Sequence, residues 1–185
     1  MKRLIFCFTI LIFISLCLFN NQSIADSGKF TRQEFYNEFF VLQKEFKWLD
    51  FEVYKLIKIA AYKYNFPTSL ICSVYQYESG DYCNNDWNKM LVVKGSSGEI
   101  GPGQIIPKFH LRKGETKIML SNSKFHIDRS TAILSNYRIK AGYNWRKTLK
   151  NYNSGPASNF YNEKYITRVL NKYNKVKKLL KNIEV

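Results

Sequence analysis

Pro67-Thr68-Ser69-Leu70-Ile71-Cys72-Ser73-Val74-Tyr75-Gln76-Tyr77-Glu78-Ser79-Gly80 is the stretch on which the fold turns. Proline at the front, where a helix has no use for an N–H, and glycine at the back bracket a helix over about Thr68–Ser79. Ile71, Val74 and Tyr75 precede Glu78 by seven, four and three residues, which puts the carboxyl on the apolar face of that helix. A carboxyl among apolar neighbours loses hydration, which disfavours its charged form and raises its pKa.

Helical periodicity continues to either side. Upstream, Thr31 and Glu34 form a capping box, and Phe35, Phe39, Leu42, Phe46 and Leu49 make one stripe of a helix running to about Leu49. Phe51 to Tyr64 reads as a second helix with Val53, Ile57, Ala60 and Tyr64 inward. Downstream, residues 80–114 lack a period and hold six of the nine glycines, so a long functional loop is expected there, with room for a short β-hairpin. Helices resume over about Asp128–Ala141 and Trp145–Tyr152, and a last one spans about Ser158–Lys181 with Tyr165, Val169, Tyr173, Val176 and Leu180 inward. No segment reads as a strand. The expected fold class is all-α.

The first 25 residues read as an export signal. Lys2 and Arg3 precede an apolar run, Leu4–Phe19, and Ser23-Ile24-Ala25 offers small residues where a signal peptidase cuts. Cleavage after Ala25 leaves residues 26–185 as one domain, exported to the periplasm or cell envelope; retention as an anchor and lipidation at Cys17 are the alternatives. Cys72 and Cys83 then remain, either as an extracytoplasmic disulfide or as two thiols. The formal net charge of +15 falls to +13 without Lys2 and Arg3. Such an excess points to an anionic partner, an acidic wall polymer or membrane surface, and export argues against nucleic acid. A solvated basic surface explains the lysines of the last helix equally simply.

Three short sequences carry the chemistry: Glu78-Ser79-Gly80, then Gly98-Glu99-Ile100-Gly101-Pro102-Gly103-Gln104-Ile105, then Asn151-Tyr152-Asn153-Ser154-Gly155-Pro156. Alone, each is a helix end, a flexible loop or a turn. In this order they resemble the lytic transglycosylases, peptidoglycan-cleaving relatives of goose-type lysozyme, and Tyr165-Ile166-x-Arg168-Val169 looks like a further segment of that family. The resemblance covers about Phe51 to Tyr173. It implies a lysozyme-like helical domain with a glycine-rich active-site loop, and Glu78 as catalytic acid/base. It also implies substrate contacts or positioning roles for Ser79, Gln104, Tyr152 and Asn153. Glu99 stands where the family has a small residue, and Pro102-Gly103 replace its apolar pair.

The implied substrate is the glycan strand of peptidoglycan, cut after N-acetylmuramic acid with formation of a 1,6-anhydro end. One carboxyl suffices there, because the sugar's own C6 hydroxyl is the nucleophile. The rival readings are a hydrolytic muramidase on the same fold and a wall-binding module without activity. A hydrolase needs a second carboxylate; Asp81 and Asp86 are the nearest candidates, with Glu99 a further one. No cofactor or metal is expected, since His110 and His126 stand sixteen apart without a carboxylate cluster. The small size of such a wall cutter adds a secretion or envelope machine to the expected partners.

Overall fold

The computed structural model describes residues 31–183, so the expected export signal lies outside the described residues. By internal contacts the chain divides into two units, Met1–Glu38 and Phe39–Val185. In the first, Thr31 and Glu34 satisfy each other's backbone N–H groups, at 2.6 and 3.2 Å, as the capping box requires. That box opens α1 (Arg32–Glu45), which stops four residues short of the expected end.

In the second unit the helices are α2 (Phe51–Lys63), α3 (Thr68–Tyr75), α4 (Trp87–Val92), α5 (Pro107–His110), α6 (Ser123–Lys140), α7 (Trp145–Ser154) and α8 (Glu163–Lys181). A π-helical turn, Gln76–Gly80, continues α3, and a 3₁₀ turn, Lys117–Ser121, precedes α6. The described residues contain no strand: the glycine-rich segment has two isolated bridges, Lys94–Ile100 and Ile100–Ile105, in place of a hairpin. Nor is any described helix long and apolar enough to cross a membrane.

Side-chain caps set most of the boundaries. Asp50, Asp86, Asn122, Asn144 and Asn162 each accept from a backbone N–H in the first turn of the helix they precede, which satisfies donors that have no intrahelical partner. Asn122 starts α6 five residues before the expected start, and Asn162 starts α8 five residues after it. Pro67 is the residue before α3 rather than its first.

The core is built on α3. All eight of its residues are buried, and it packs between α2 and α8, while α6 packs on α2 and α7. Beneath the π turn lies an aromatic group: Trp48 stacks on Trp87 at 5.4 Å, and Tyr75 lies 6.1 Å from each. Such ring pairs add to the burial of apolar area itself. Phe39, Leu42, Phe46, Leu49, Val53, Ile57 and Ala60 are buried as the periodicity predicts, and so are Tyr165, Val169, Tyr173 and Val176. Lys172 departs from the solvated-surface reading, since it is largely covered and pairs with Glu45 at 2.9 Å; Lys175 reaches the same carboxylate and stays exposed. Cys72 and Cys83 are buried thiols and no disulfide joins them.

Candidate active site

The site begins where α3 changes register. Asp81 N bonds to Gln76 O at 3.1 Å and Asn85 N to Gly80 O at 3.0 Å, the five-residue spacing of a π turn, a feature that recurs at functional sites. The Gln76 side chain explains the widening. Its Oε1 accepts from Trp48 Nε1 at 2.9 Å, and its Nε2 donates to Asp81 at 2.6 Å and Asn85 at 3.1 Å. Gly80 packs against this amide so closely that a Cβ there would lie 3.0 Å from Nε2. Gln76 thus occupies the space where an ordinary turn would close.

Glu78 lies in the middle of the turn. The residue is half-buried, but its Oε1 is wholly covered and completes no hydrogen bond. Loss of hydration pushes its pKa up to about 7, opposed by the Tyr165 hydroxyl, reinforced by the negative charge of Glu99 and opposed again by the Asn153 amide. The Tyr165 hydroxyl is likewise buried without a completed hydrogen bond. Buried polar atoms are satisfied in the great majority of cases, so a covered carboxyl oxygen whose nearest polar neighbour is an equally covered phenol marks a place where stability gives way to something else. A carboxyl raised towards neutrality is poised to give a proton and recover it.

The glycine-rich segment is pinned to the helices from several sides. Gly103 N donates to His126 Nε2 at 3.0 Å, and the other ring nitrogen of His126 donates to Leu120 O at 3.1 Å, which fixes the neutral tautomer. Burial holds the His126 pKa down at about 4. Gly103 O accepts from the Tyr152 hydroxyl at 2.6 Å, and Pro102 O accepts from Ser79 Oγ at 3.4 Å. Two glycines are required by this fit. Gly101 has φ +78° and a Cβ there would run into the His126 ring; a Cβ on Gly103 would stand 2.6 Å from Ser130 Cβ and 2.9 Å from the Tyr152 hydroxyl oxygen. Backbone and side chains approach closely because no Cβ intervenes.

Of the residues singled out in the sequence, Glu78, Tyr152 and Asn153 come together. Tyr152 and Glu78 share an electrostatic environment, although the tyrosine hydroxyl is spent on Gly103. Ser79 is fully buried and ties the π turn to the loop. Gln104 adopts a left-handed φ of +46°, donates to Gly101 O at 2.8 Å, and turns its amide oxygen toward Gly95, where the Glu99 carboxylate also arrives. The two aspartates weighed as second carboxylates are engaged elsewhere. Asp81 accepts from Gln76 and pairs with Arg168 at 3.2 Å. Asp86 caps α4.

Two functional candidates were hidden from the sequence argument. Tyr165 reads as a member of an apolar stripe and of the family-like segment with no role of its own, and only the packing of α8 on α3 brings its hydroxyl to Glu78. His126 reads as an isolated histidine without a cluster. Among the described residues no group of three or more His, Cys, Asp or Glu side chains could hold a metal ion. No protein-family model, curated protein or solved structure matches the chain, and the site's own geometry carries the functional reading.

Proposed function

We propose that the chain is a peptidoglycan lytic transglycosylase with a lysozyme-like, goose-type helical fold, using Glu78 as its only acid/base. One observation carries the reading: a covered carboxyl with its pKa at about 7, faced by Tyr165 and Asn153. In its protonated form Glu78 donates to the oxygen linking N-acetylmuramic acid to N-acetylglucosamine, and the C1–O bond breaks. The neighbouring acetamido carbonyl shares the positive charge at C1. The C6 hydroxyl of the same sugar then attacks C1, and Glu78 takes back the proton that hydroxyl loses. The products are a 1,6-anhydromuramic end and a free 4-hydroxyl, with no water consumed. The loop pinned by His126, Tyr152 and Ser79 gives the strand a fixed wall, which supports orientation without reorganisation during the reaction.

The test is digestion of purified sacculi followed by mass spectrometry of the released fragments. Anhydro ends are expected from the wild type. Glu78→Gln is expected to lose about 10²–10⁴-fold in turnover, the usual contribution of an acid–base residue, while still binding the sacculus. Equal turnover by the two proteins rejects Glu78 as the acid. A wild type that binds sacculi and releases nothing makes the chain a wall-binding module.

A second reading is favoured by the charge of Glu99, which reaches Glu78. Glu99 rather than Asp81 or Asp86 is then the carboxylate that activates water, and the enzyme is a hydrolytic muramidase. Reducing ends in place of anhydro ends select this reading.

A further inference from the structure

Residues 107–121 leave the core at Leu111 and return to it at Leu120, both packed in the cluster built on Ile105 and Ile133. Between these anchors, Glu115 is ion-paired to Arg129 and accepts from the backbone N–H of Arg112 at 2.7 Å. The excursion therefore has a fixed base. Its exposed side chains combine two properties. Phe109 is 70% exposed and Ile118 83%, Lys108 lies over the Phe109 ring at 5.6 Å, and Arg112, Lys113 and Lys117 are exposed in the same segment. Glu115, the single acid of the segment, is turned inward onto Arg129, so the outward charge is entirely positive. Among the described residues none of the four cations joins an ion pair.

Single exposed apolar side chains are ordinary, but a group of them rimmed by one sign of charge marks an interaction surface. The layering here matches an anionic bilayer, with phosphate headgroups outermost and acyl chains just beneath. A hydrophilic polyanion would engage the cations and leave Phe109 and Ile118 in water. We propose that Phe109, Ile118, Lys108, Arg112, Lys113 and Lys117 form a docking face for anionic phospholipid, on which the 107–121 segment lies in the headgroup region. This inference stands apart from the chemistry assigned to Glu78.

Co-sedimentation of the full chain with vesicles of phosphatidylglycerol mixed with phosphatidylcholine, and with vesicles of phosphatidylcholine alone, tests it. Any contribution from the apolar run Leu4–Phe19 is common to both bilayers, so the readout is the ratio of the two binding constants. Each cation removed is expected to lower that ratio roughly fivefold at low salt, and Lys113→Glu with Lys117→Glu to abolish it. Phe109→Ser with Ile118→Ser is expected to weaken anionic binding about tenfold. These side chains are exposed, and unchanged circular dichroism and unfolding midpoints confirm that both variants fold. An unchanged ratio in the charge variant, or unchanged anionic binding in the Ser variant, overturns the proposal. Loss of binding to purified sacculi with vesicle binding intact assigns the face to the wall polymer and overturns it equally.

Discussion

Glu78 is governed by three neighbours that act in opposite directions. Tyr165 and Asn153 favour its ionised form, Glu99 the protonated one, and burial outweighs them all. In the proposed reaction the free enzyme must hold a proton on Glu78, so kcat/KM falls as pH rises through about 7. Tyr165→Phe removes a group that stabilises the anion, and the alkaline limb of the pH–rate profile is expected to move to higher pH. Glu99→Gln removes a negative charge, and the limb is expected to move lower, with the difference shrinking as salt screens the pair. Rates on sacculi measured across neutral pH, with an NMR titration of the Glu78 carboxyl carbon as an activity-free control, check both signs. Displacement of both variants in the same direction contradicts this arrangement.

At the scale of elements, the loop is held by hydrogen bonds whose partners lie far away in sequence. Tyr152→Phe leaves the Gly103 carbonyl without its donor and is expected to cost about 1–3 kcal/mol. His126→Ala strips partners from both Gly103 N–H and Leu120 C=O and opens a cavity, a loss of about 3–5 kcal/mol. Urea unfolding measures both, and faster hydrogen exchange at the Gly103 amide in His126→Ala locates the damage. A stable His126→Ala protein with that amide still protected refutes the role given to the ring. Most of the helices were legible because their stripes are local. Those of α2 and α8, and the capping box of α1, depend on residues a few positions apart. What was not legible is tertiary. The π turn leaves the same apolar residues in place as an α turn would, and its cause, the Gln76 amide wedged between Trp48 and Gly80, spans 28 residues from Trp48. α6 hides its start because residues from His126 to Leu134 are buried almost without a break, and a helix covered on most sides has no period to read. In the site, Glu78 was legible from spacing and Tyr165 was not, since a stripe residue shows its hydroxyl's target only after two helices pack.

For the whole molecule, these buried groups make stability a function of pH with opposing slopes. The pKa of Glu78 is raised from 4.5 to about 7. The unfolded chain therefore ionises first, and the folded state loses up to about 3 kcal/mol as pH climbs between those values. His126 is lowered from 6.5 to about 4, so the folded state loses a similar amount, about 3 kcal/mol, as pH falls through that window. His110, also lowered by burial, adds to the second slope. Across the overlap, from 4.5 to 6.5, the Glu78 and His126 terms nearly cancel in the wild type. Glu78→Gln removes the first slope alone. The variant should match the wild type in stability near the bottom of the overlap and exceed it by up to about 3 kcal/mol at mildly alkaline pH. Within the overlap its stability should rise with pH more steeply than that of the wild type, by about 1.4 kcal/mol per pH unit. Urea unfolding of both proteins at several pH values reads this directly. A Glu78→Gln chain no more stable than the wild type at alkaline pH means that burying this carboxyl costs the fold nothing, and the acid at the centre of the proposed mechanism would then lack its cause.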